Sequence, residues 1–540
     1  MKRSAVEGNL EGDFWNRLDP LLARYFREHF PSPTESQRKA FQALEKGRDV
    51  LVVSPTGSGK TFTAFMTVLD RLIKEAREGK LQPKTYCVYV SPLKALGNDI
   101  RKNLTEPLQS VYRYAEEEGT ELQEIRVSIR TGDTLLSERQ RHLRRPPHIL
   151  ITTPESLVLM LSSSHREYLK GVKYVIVDEL HSLMPNKRGT MLSVTLEWLE
   201  RIAEERPLRI GLSATISRPR MALRFLLGYS GSRWKFGEII EGGIEKQYSF
   251  EVRYTPSWND LLREIGDVIN SHKVTIIFTG ARREAEEISY YLKGMGFTDL
   301  YPHHGSLSRE VREEVETLLK RGELKAVVTS TSLELGIDIG EVDVVVQVSS
   351  PVAPSTLLQR VGRAGHRLGG VSKGIIMART PHELLEISAI VEMASRGEIE
   401  DFSIPEEPWD VAIQMITGMA IGGISELKDI YNVLRSAYPF RRVKFSRLKA
   451  IVEDLASLST LSPSLINRFE LTDGRRVTVK RGFHHIFYTN VGTIVPDIKY
   501  SVYTSSPSKK VGELSGEFVE RLSRYDVFML GGKTYQLLET

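Results

Sequence analysis

VLVVSPTGSGKT, residues 50–61, decides the fold. Val50 to Val53 form an apolar run of strand type. A glycine-containing turn follows, then Lys60 and Thr61, then Phe62, Phe65, Met66, Leu69 and Leu72 at helical spacing. Strand, turn and helix in this order read as a phosphate-binding loop. Gly57 and Gly59 let the backbone curl so that the N–H groups of Thr56, Gly57, Ser58 and Gly59 point inward at phosphate oxygens. The helix that follows adds its positive end. Lys60 reaches the β- and γ-phosphates, and the Thr61 hydroxyl holds magnesium. Ser54 stands where the strict pattern has its first glycine, and a small residue there is compatible with the turn.

The other half of an ATP site follows a second apolar run. Residues 173–177, KYVIV, read as a buried parallel strand and end in Asp178-Glu179-Leu180-His181. A carboxylate at the C-terminal edge of such a strand lies at the mouth of the sheet, where ligands bind. Asp178 is placed to hold magnesium, and Glu179 to polarise the water that attacks the γ-phosphate.

From about residue 30 to 230, apolar strands alternate with amphipathic helices, the pattern of a doubly wound parallel sheet. Strands are expected at 50–54, 86–91, 126–130, 148–152, 173–178 and 208–213. GEIIEGGIEKQ, 237–247, reads as the link between domains. A second α/β unit follows, with strands near 273–278, 298–302, 325–329, 342–348 and 373–378 and no phosphate loop of its own. Two such units with one loop suggest a site closed between them. From 405 to 465 the pattern is helical (PWDVAIQMI, YNVLRSAYPF, RLKAIVEDL). From about 470 it reads as alternating β: RRVTVKRG, HHIFYTN, SVYTSS and GKTYQLLE.

With 540 residues the chain is too long for one core, and three or four domains are expected. It has no apolar run long enough to span a membrane and no basic-then-apolar leader, so the reading is cytoplasmic with no membrane contact. The single cysteine, Cys87, lies in the apolar strand YCVYV and excludes a disulfide framework. Net charge is only +5, so contact with nucleic acid has to come from local patches. RHLRRPPH at 141–148 and RRVKFSRLK at 441–449 are two such patches, although isolated charge runs are more often solvated faces.

The second unit carries its own chemistry. After the strand KAVVTS comes Thr331-Ser332-Leu333-Glu334-Leu335-Gly336-Ile337-Asp338, and further on Gln359-Arg360-Val361-Gly362-Arg363-Ala364-Gly365-His366-Arg367. Three arginines in nine residues with glycines between them suit anion contact. If this segment faces the first unit, Arg363 reaches the γ-phosphate as an arginine finger.

The ordered set Gln37, SPTGSGKT, SPLKAL (91–96), RTGDT (130–134), TTPESL (152–157), DELH, SAT (213–215), the Thr331–Asp338 segment and QRVGRAGHR resembles a superfamily-two helicase. DELH, HHGSLS (303–308) and the His366-Arg367 ending make it most similar to the Lhr, or large helicase-related, family. PWDVAIQMI resembles the start of that family's winged-helix domain. NVGTIVPD (490–497) and VGELSGEFVERL (511–522) resemble its following β-rich segment. Many members continue well beyond the point where this chain ends, so activities housed there are not carried over. The resemblance implies two RecA-like doubly wound parallel-sheet motor domains, 1–236 and 248–404, then a winged-helix domain, 405–465, and a β-rich segment, 466–540.

It also assigns roles. Gln37 reads adenine. Lys60 and Thr61 bind phosphate and magnesium, and Asp178 and Glu179 bind magnesium and activate water. Ser213 and Thr215 couple the ATP site to nucleic acid. Gly336 and Asp338 line the nucleotide, and Gln359 and Arg363 approach the γ-phosphate. Arg360 or Arg367 is left to supply a second positive contact. Pro92, Lys94, Thr131, Gly132, Thr153, Pro154 and Glu155 match one half of a sugar-phosphate track, and Thr279, Arg282, His304 and Thr331 match the other. The implied cofactors are ATP and Mg2+. The implied activity is 3′-to-5′ movement on single-stranded or forked DNA by a monomer, in DNA repair or recombination. RNA and DNA–RNA hybrids stay open as substrates, and the alternatives are an ATP-gated clamp, a strand-annealing protein or an RNA helicase. A chain ending near Ile404 is expected to keep nucleic-acid-stimulated ATPase activity and to lose unwinding of long duplexes, and the segment after 470 to serve docking.

Overall fold

The computed structural model describes residues 14–30, 32–55, 59–231, 233–242, 246–334, 339–365, 370–461, 469–492, 499–505 and 507–539. They pack as two units. The first comprises Met1–Ser54, Gly59–Gly243 and Phe402–Ile494; the second comprises Pro55–Ser58, Ile244–Asp401 and Val495–Thr540.

The first unit is built on strands β1 (Asp49–Val53), β2 (Cys87–Val90), β3 (Val127–Arg130), β4 (Ile149–Thr152), β5 (Tyr174–Val177) and β6 (Leu208–Ser213). A small hairpin, β7 (Tyr229–Ser230) with β8 (Arg233–Trp234), precedes β9 (Gly237–Glu241). The sheet order is β3-β4-β2-β5-β6-β1-β9, with every pair parallel. Helices cover both faces, so the central strands are apolar throughout: β1, β2 and β4 are buried at every residue.

The second unit holds β10 (Gln247–Tyr254), β11 (Thr275–Phe278), β12 (Leu300–His303), β13 (Ala326–Thr329), β14 (Val344–Val348) and β15 (Val371–Ala378). They form a second all-parallel sheet, β10-β15-β14-β11-β13-β12. Both expected parallel sheets are present. The expected link 237–247 is instead the edge strand β9 and the start of the edge strand β10. Edge strands are half solvated, so their sequence lacks the continuous apolar run that marks an interior strand.

The segment after residue 404 divides differently from the expected boundaries. Helices Trp409–Ile421, Leu427–Ser436 and Phe445–Leu461, then the hairpin β16 (Phe469–Thr472) with β17 (Arg476–Val479), give three helices and a wing. HHIFYTN is not a strand but forms the end of helix Arg481–Thr489 and its cap Asn490, and Phe487 is buried. This module shares a core with the first sheet unit. Trp198 is fully buried, and a Cβ on Gly422 would stand 2.5 Å from its ring and 2.9 Å from the Leu161 carbonyl oxygen. Tyr438 packs on Phe225 and stacks on Trp234.

That shared core revises the expectation for a chain ending near Ile404. Uncovering Trp198, Phe225 and Trp234 alone forfeits roughly 1.5–3 kcal/mol each, against a net stability of about 5–15 kcal/mol for a typical protein. The truncated chain is expected to lose cooperative thermal unfolding together with the nucleic-acid-stimulated ATPase activity that the resemblance implies. A truncated chain with the parent's Tm and stimulated ATPase would show this packing to be dispensable.

The last segment folds on the second unit. Hairpins β18 (Lys499–Tyr503) with β19 (Lys510–Ser515), and β20 (Val527–Leu530) with β21 (Lys533–Gln536), close over Leu307, Phe528 and Leu530. Ser308 N–H donates to Val511 O at 3.1 Å, and Glu513 N–H to Ser306 O at 2.7 Å. Among the described residues no helix is long and apolar enough to cross a membrane.

Candidate nucleotide site and strand-binding loops

In both sheets the expected motif residues follow the C-terminal ends of parallel strands, where the topology concentrates ligand contacts. Gly59 caps helix Lys60–Arg77 in the left-handed conformation, φ +77°, which disfavours any side chain there. A Cβ at that position would stand 3.4 Å from Gln37 Nε2, so Gln37 lies beside the phosphate loop. Gln37 also closes a capping box with Thr34: its amide oxygen accepts from Thr34 N–H at 2.9 Å, and its N–H donates to Thr34 Oγ1 at 3.2 Å. Lys60 Nζ is buried and has no hydrogen-bond partner among the described residues. A buried ammonium without an acceptor calls for an anion. Thr61 follows it at the half-exposed first turn. Thr56, Gly57 and Ser58 lie outside the described residues.

Asp178 and Glu179 follow β5 and are both buried. Burial, and then the charge of Glu179, pushes the Asp178 carboxyl well above the usual carboxylate range; Tyr89 and Lys60 pull it back. Tyr89 of β2 donates its hydroxyl to Asp178 Oδ2 and stacks on Phe65 of the loop helix, with ring centroids 5.3 Å apart. The apolar strand YCVYV hid this polar partner of Asp178, the aspartate expected to hold metal. Glu179 adopts a left-handed backbone, φ +47° and ψ +45°, a cost of order 1–3 kcal/mol that a non-glycine residue bears where geometry matters.

His181 joins DELH to SAT. Ala214 N–H donates to His181 Nδ1 at 3.2 Å, and Ser213 Oγ lies 3.2 Å from the same nitrogen. Burial lowers the imidazole's pKa, and with Nδ1 accepting from Ala214 the proton of the neutral ring sits on Nε2, 3.6 Å from Glu179 Oε2. Thr215 is exposed just beyond.

Three loops of the first sheet, after β2, β3 and β4, hold the residues expected to contact the strand. Thr131 is buried; its N–H donates to Thr134 Oγ1 at 2.9 Å, while Gly132 is exposed and its carbonyl accepts from Arg139 Nη2 at 2.8 Å. Thr153 caps helix Pro154–Leu161 through Ser156 N–H, and Pro154 is buried. Glu155 is paired with Arg188, whose Nη1 also donates to Pro92 O. Arg188 was missed because its partners are distant in sequence; NKRG shortly after DELH was the only signal. Lys94 starts helix Lys94–Glu117, and its side chain lies outside the described residues.

In the second unit, exposed Arg282 donates to Ser306 Oγ at 3.0 Å, and Thr331 is exposed. Two expected side-chain contacts are committed elsewhere. Thr279 is buried, and its hydroxyl donates to Ala281 O at 3.0 Å. His304 is buried, with Nε2 2.7 Å from Glu286, whose carboxylate also accepts the N–H of Gly531 and of Gly532. Both brace their loops from inside, and the C-terminal hairpins complete the brace at His304.

Arg360 is spent as well. Its Nε and Nη2 donate to Glu334 Oε2 at 2.9 and 2.7 Å, and its Nη1 to Gln347 Oε1 at 2.8 Å. A guanidinium already neutralised by a carboxylate is a poor second phosphate contact. Arg363 donates from Nε and Nη2 to the Glu334 carbonyl oxygen at 3.2 and 2.7 Å. Gln359 is half-buried one turn earlier. Gly336, Asp338, His366 and Arg367 lie outside the described residues. Of the two basic patches, Arg441 and Arg447 pair with Glu406 and Glu407, whereas Arg141 and Arg144 stay exposed.

Three family models match the chain: the DEAD/DEAH box helicase over 34–223, the helicase conserved C-terminal domain over 258–368, and the large helicase-related protein winged helix domain over 392–540. The chain is 41% identical over 537 residues to the ATP-dependent helicase Lhr-Core of Methanocaldococcus jannaschii, covering 97% of this chain and 63% of that protein. It is 42% identical over 558 residues to the ATP-dependent helicase Lhr-Core protein 2 of Thermococcus barophilus, covering 99% and 64%. The structure of the Mycobacterium smegmatis helicase Lhr bound to ssDNA and AMP-PNP superposes with a TM-score of 0.81 at 35% identity, covering 89% of this chain and 63% of that one. The chain thus spans a little under two thirds of the length of these relatives.

Proposed function

The chain belongs to the large helicase-related family of superfamily-two helicases, and from that premise we propose that it is an ATP-driven DNA helicase. In this reading it works as a monomer, moves 3′ to 5′ on single-stranded or forked DNA, and serves DNA repair or recombination. The observation that carries the reading is the buried Lys60 ammonium, without a hydrogen-bond partner among the described residues, beside the Asp178–Glu179 pair. The relative solved with ssDNA and AMP-PNP supports the choice of DNA and of ATP.

Lys60 offers its ammonium to phosphate oxygens, and Gln37 stands next to the loop to read the base. Thr61 and Asp178 are the residues that would hold magnesium, which would supply positive charge to the phosphates. Tyr89 holds the Asp178 carboxylate in place. Glu179 takes the proton of the attacking water, and neutral His181 keeps its N–H towards that carboxylate. Because His181 Nδ1 is held by Ala214 and Ser213, a shift of the SAT segment is felt at Glu179.

Strand displacement on tailed duplexes tests the reading. With ATP, displacement is expected from 3′-tailed DNA and not from 5′-tailed DNA, and a non-hydrolysable analogue is expected to give none. Equal output with the analogue would make the protein a clamp, and displacement confined to RNA-tracking substrates would make it an RNA helicase.

A further inference from the structure

The strand-binding loops of the first unit are not independent. Pro92 follows β2 and Glu155 follows β4, yet one side chain, Arg188, holds both. Its Nε and Nη2 fork onto the two Glu155 oxygens, and its Nη1 donates to the Pro92 carbonyl. Both partners are mostly buried, with side-chain exposures of 18% for Arg188 and 24% for Glu155. Burial alone would raise the Glu155 carboxyl, but the hydrogen bonds and charge of Arg188 outweigh it and leave the group below its ordinary value. This is the bidentate geometry that a planar guanidinium makes and a lysine cannot.

The other end of the same short segment reaches the catalytic glutamate. Ser182 Oγ donates to Glu179 O at 2.8 Å, and Asn186 Nδ2 donates to Ser182 O at 2.7 Å. Asn186 then caps helix Lys187–Ile202, accepting from Gly189 N–H at 3.1 Å, and Arg188 lies in that helix's first turn. Gly189 allows the close turn, because a Cβ there would stand 2.0 Å from the Leu183 carbonyl oxygen. Ten residues, 179–188, therefore run from the main chain of the water-activating glutamate to the two strand loops, tied by contacts of side chains to main-chain groups. They are distinct from the His181–Ser213 contact with the SAT segment.

We propose that Arg188 is a positioning residue that sets the spacing of the Pro92 and Glu155 strand loops and ties that spacing to Glu179, so that strand binding and ATP turnover communicate through residues 179–188. The inference rests on the helicase reading above. In it Glu155 acts by ordering its loop through Arg188, not by an independent contact with the strand.

The test uses the full chain with Arg188→Lys, Arg188→Ala, Glu155→Gln and the double variant Arg188→Ala/Glu155→Gln. ATPase rates are titrated with single-stranded DNA, strand affinity is followed by fluorescence anisotropy, and thermal unfolding is followed in parallel. In Arg188→Ala the DNA concentration for half-maximal stimulation is expected to rise about tenfold or more, while the KM for ATP stays within about twofold. Arg188→Lys is expected not to restore the DNA response, because it keeps the charge and loses the fork. The double variant is expected to be no worse than the more affected single variant, as for two groups acting as one unit. Should Arg188→Ala unfold early, Glu155→Gln, which is isosteric, carries the same comparison. A parent-like DNA response in both Arg188 variants, full recovery with lysine, or additive losses in the double variant overturns the inference. A parent chain with no DNA-stimulated ATPase overturns the helicase reading itself.

Discussion

Lys60→Ala and Glu179→Gln are each expected to lower ATP turnover by roughly a thousandfold, within the range of removing a general base or a transition-state contact. The two variants fail differently. Lys60 is a buried cation with no hydrogen-bond partner among the described residues, so alanine removes the charge that phosphate would meet and weakens nucleotide binding as well as turnover. Glu179→Gln keeps the shape, and Asp178 keeps the contact from Tyr89, so nucleotide binding is expected to persist. A fluorescent nucleotide analogue measures binding, and a coupled assay measures hydrolysis. ATPase near the parent's rate in either variant would remove the assignment of this site.

The interior of both sheets was legible because parallel strands covered on both faces must be apolar from end to end. The eleven expected strands all appear, from 50–54 to 373–378, within two residues at each end. What escaped was the edge. GEIIE pairs with β1 on one side only, with Glu241 exposed and Glu238 half-exposed beside Arg48, so its glycine and charges looked like a linker. HHIFYTN misled for another reason. Its aromatic and β-branched residues favour a strand in isolation, but Phe487 packs where a Cβ on Gly418 would be 2.8 Å away, and that tertiary contact selects the helix.

The phosphate loop and DELH were readable because the chemistry is local: a strand, a turn and the residues at its end. Tyr89, Arg188 and the burial of His304 were not, because each depends on a partner far along the chain. Tyr89 needs Asp178, Arg188 needs Pro92 and Glu155, and His304 needs Glu286 with Gly531 and Gly532. No residue type announces such a pairing. A tyrosine in a strand and an arginine at a helix start each have a bland reading that sequence alone prefers.

Arg363→Ala is expected to lower kcat by roughly a thousandfold, the order found for removal of an arginine finger, with the KM for ATP changed only a few-fold, because a finger acts mainly in the transition state. The structure supplies the control that the sequence lacked. Arg360, three residues earlier in the same arginine-rich segment, is bound to Glu334 and Gln347. Removing it leaves the buried end of that network unpaired and is expected to lower Tm, with turnover falling as the fold loosens. Arg363 donates to a main-chain carbonyl, that of Glu334, so at this contact its loss strands a neutral acceptor and not a carboxylate. Arg363 is as buried as Arg360, so both alanine variants are expected to lower Tm, and they are told apart by turnover measured well below Tm, where Arg363→Ala is expected to show the far larger loss. Arg363→Lys separates charge from shape: it should recover part of kcat if charge alone matters and none if the planar fork is required. A variant lacking Arg363 that binds ATP poorly yet hydrolyses it at the parent's rate when saturated would make this residue a ground-state ligand. The catalytic charge would then have to come from elsewhere in the segment.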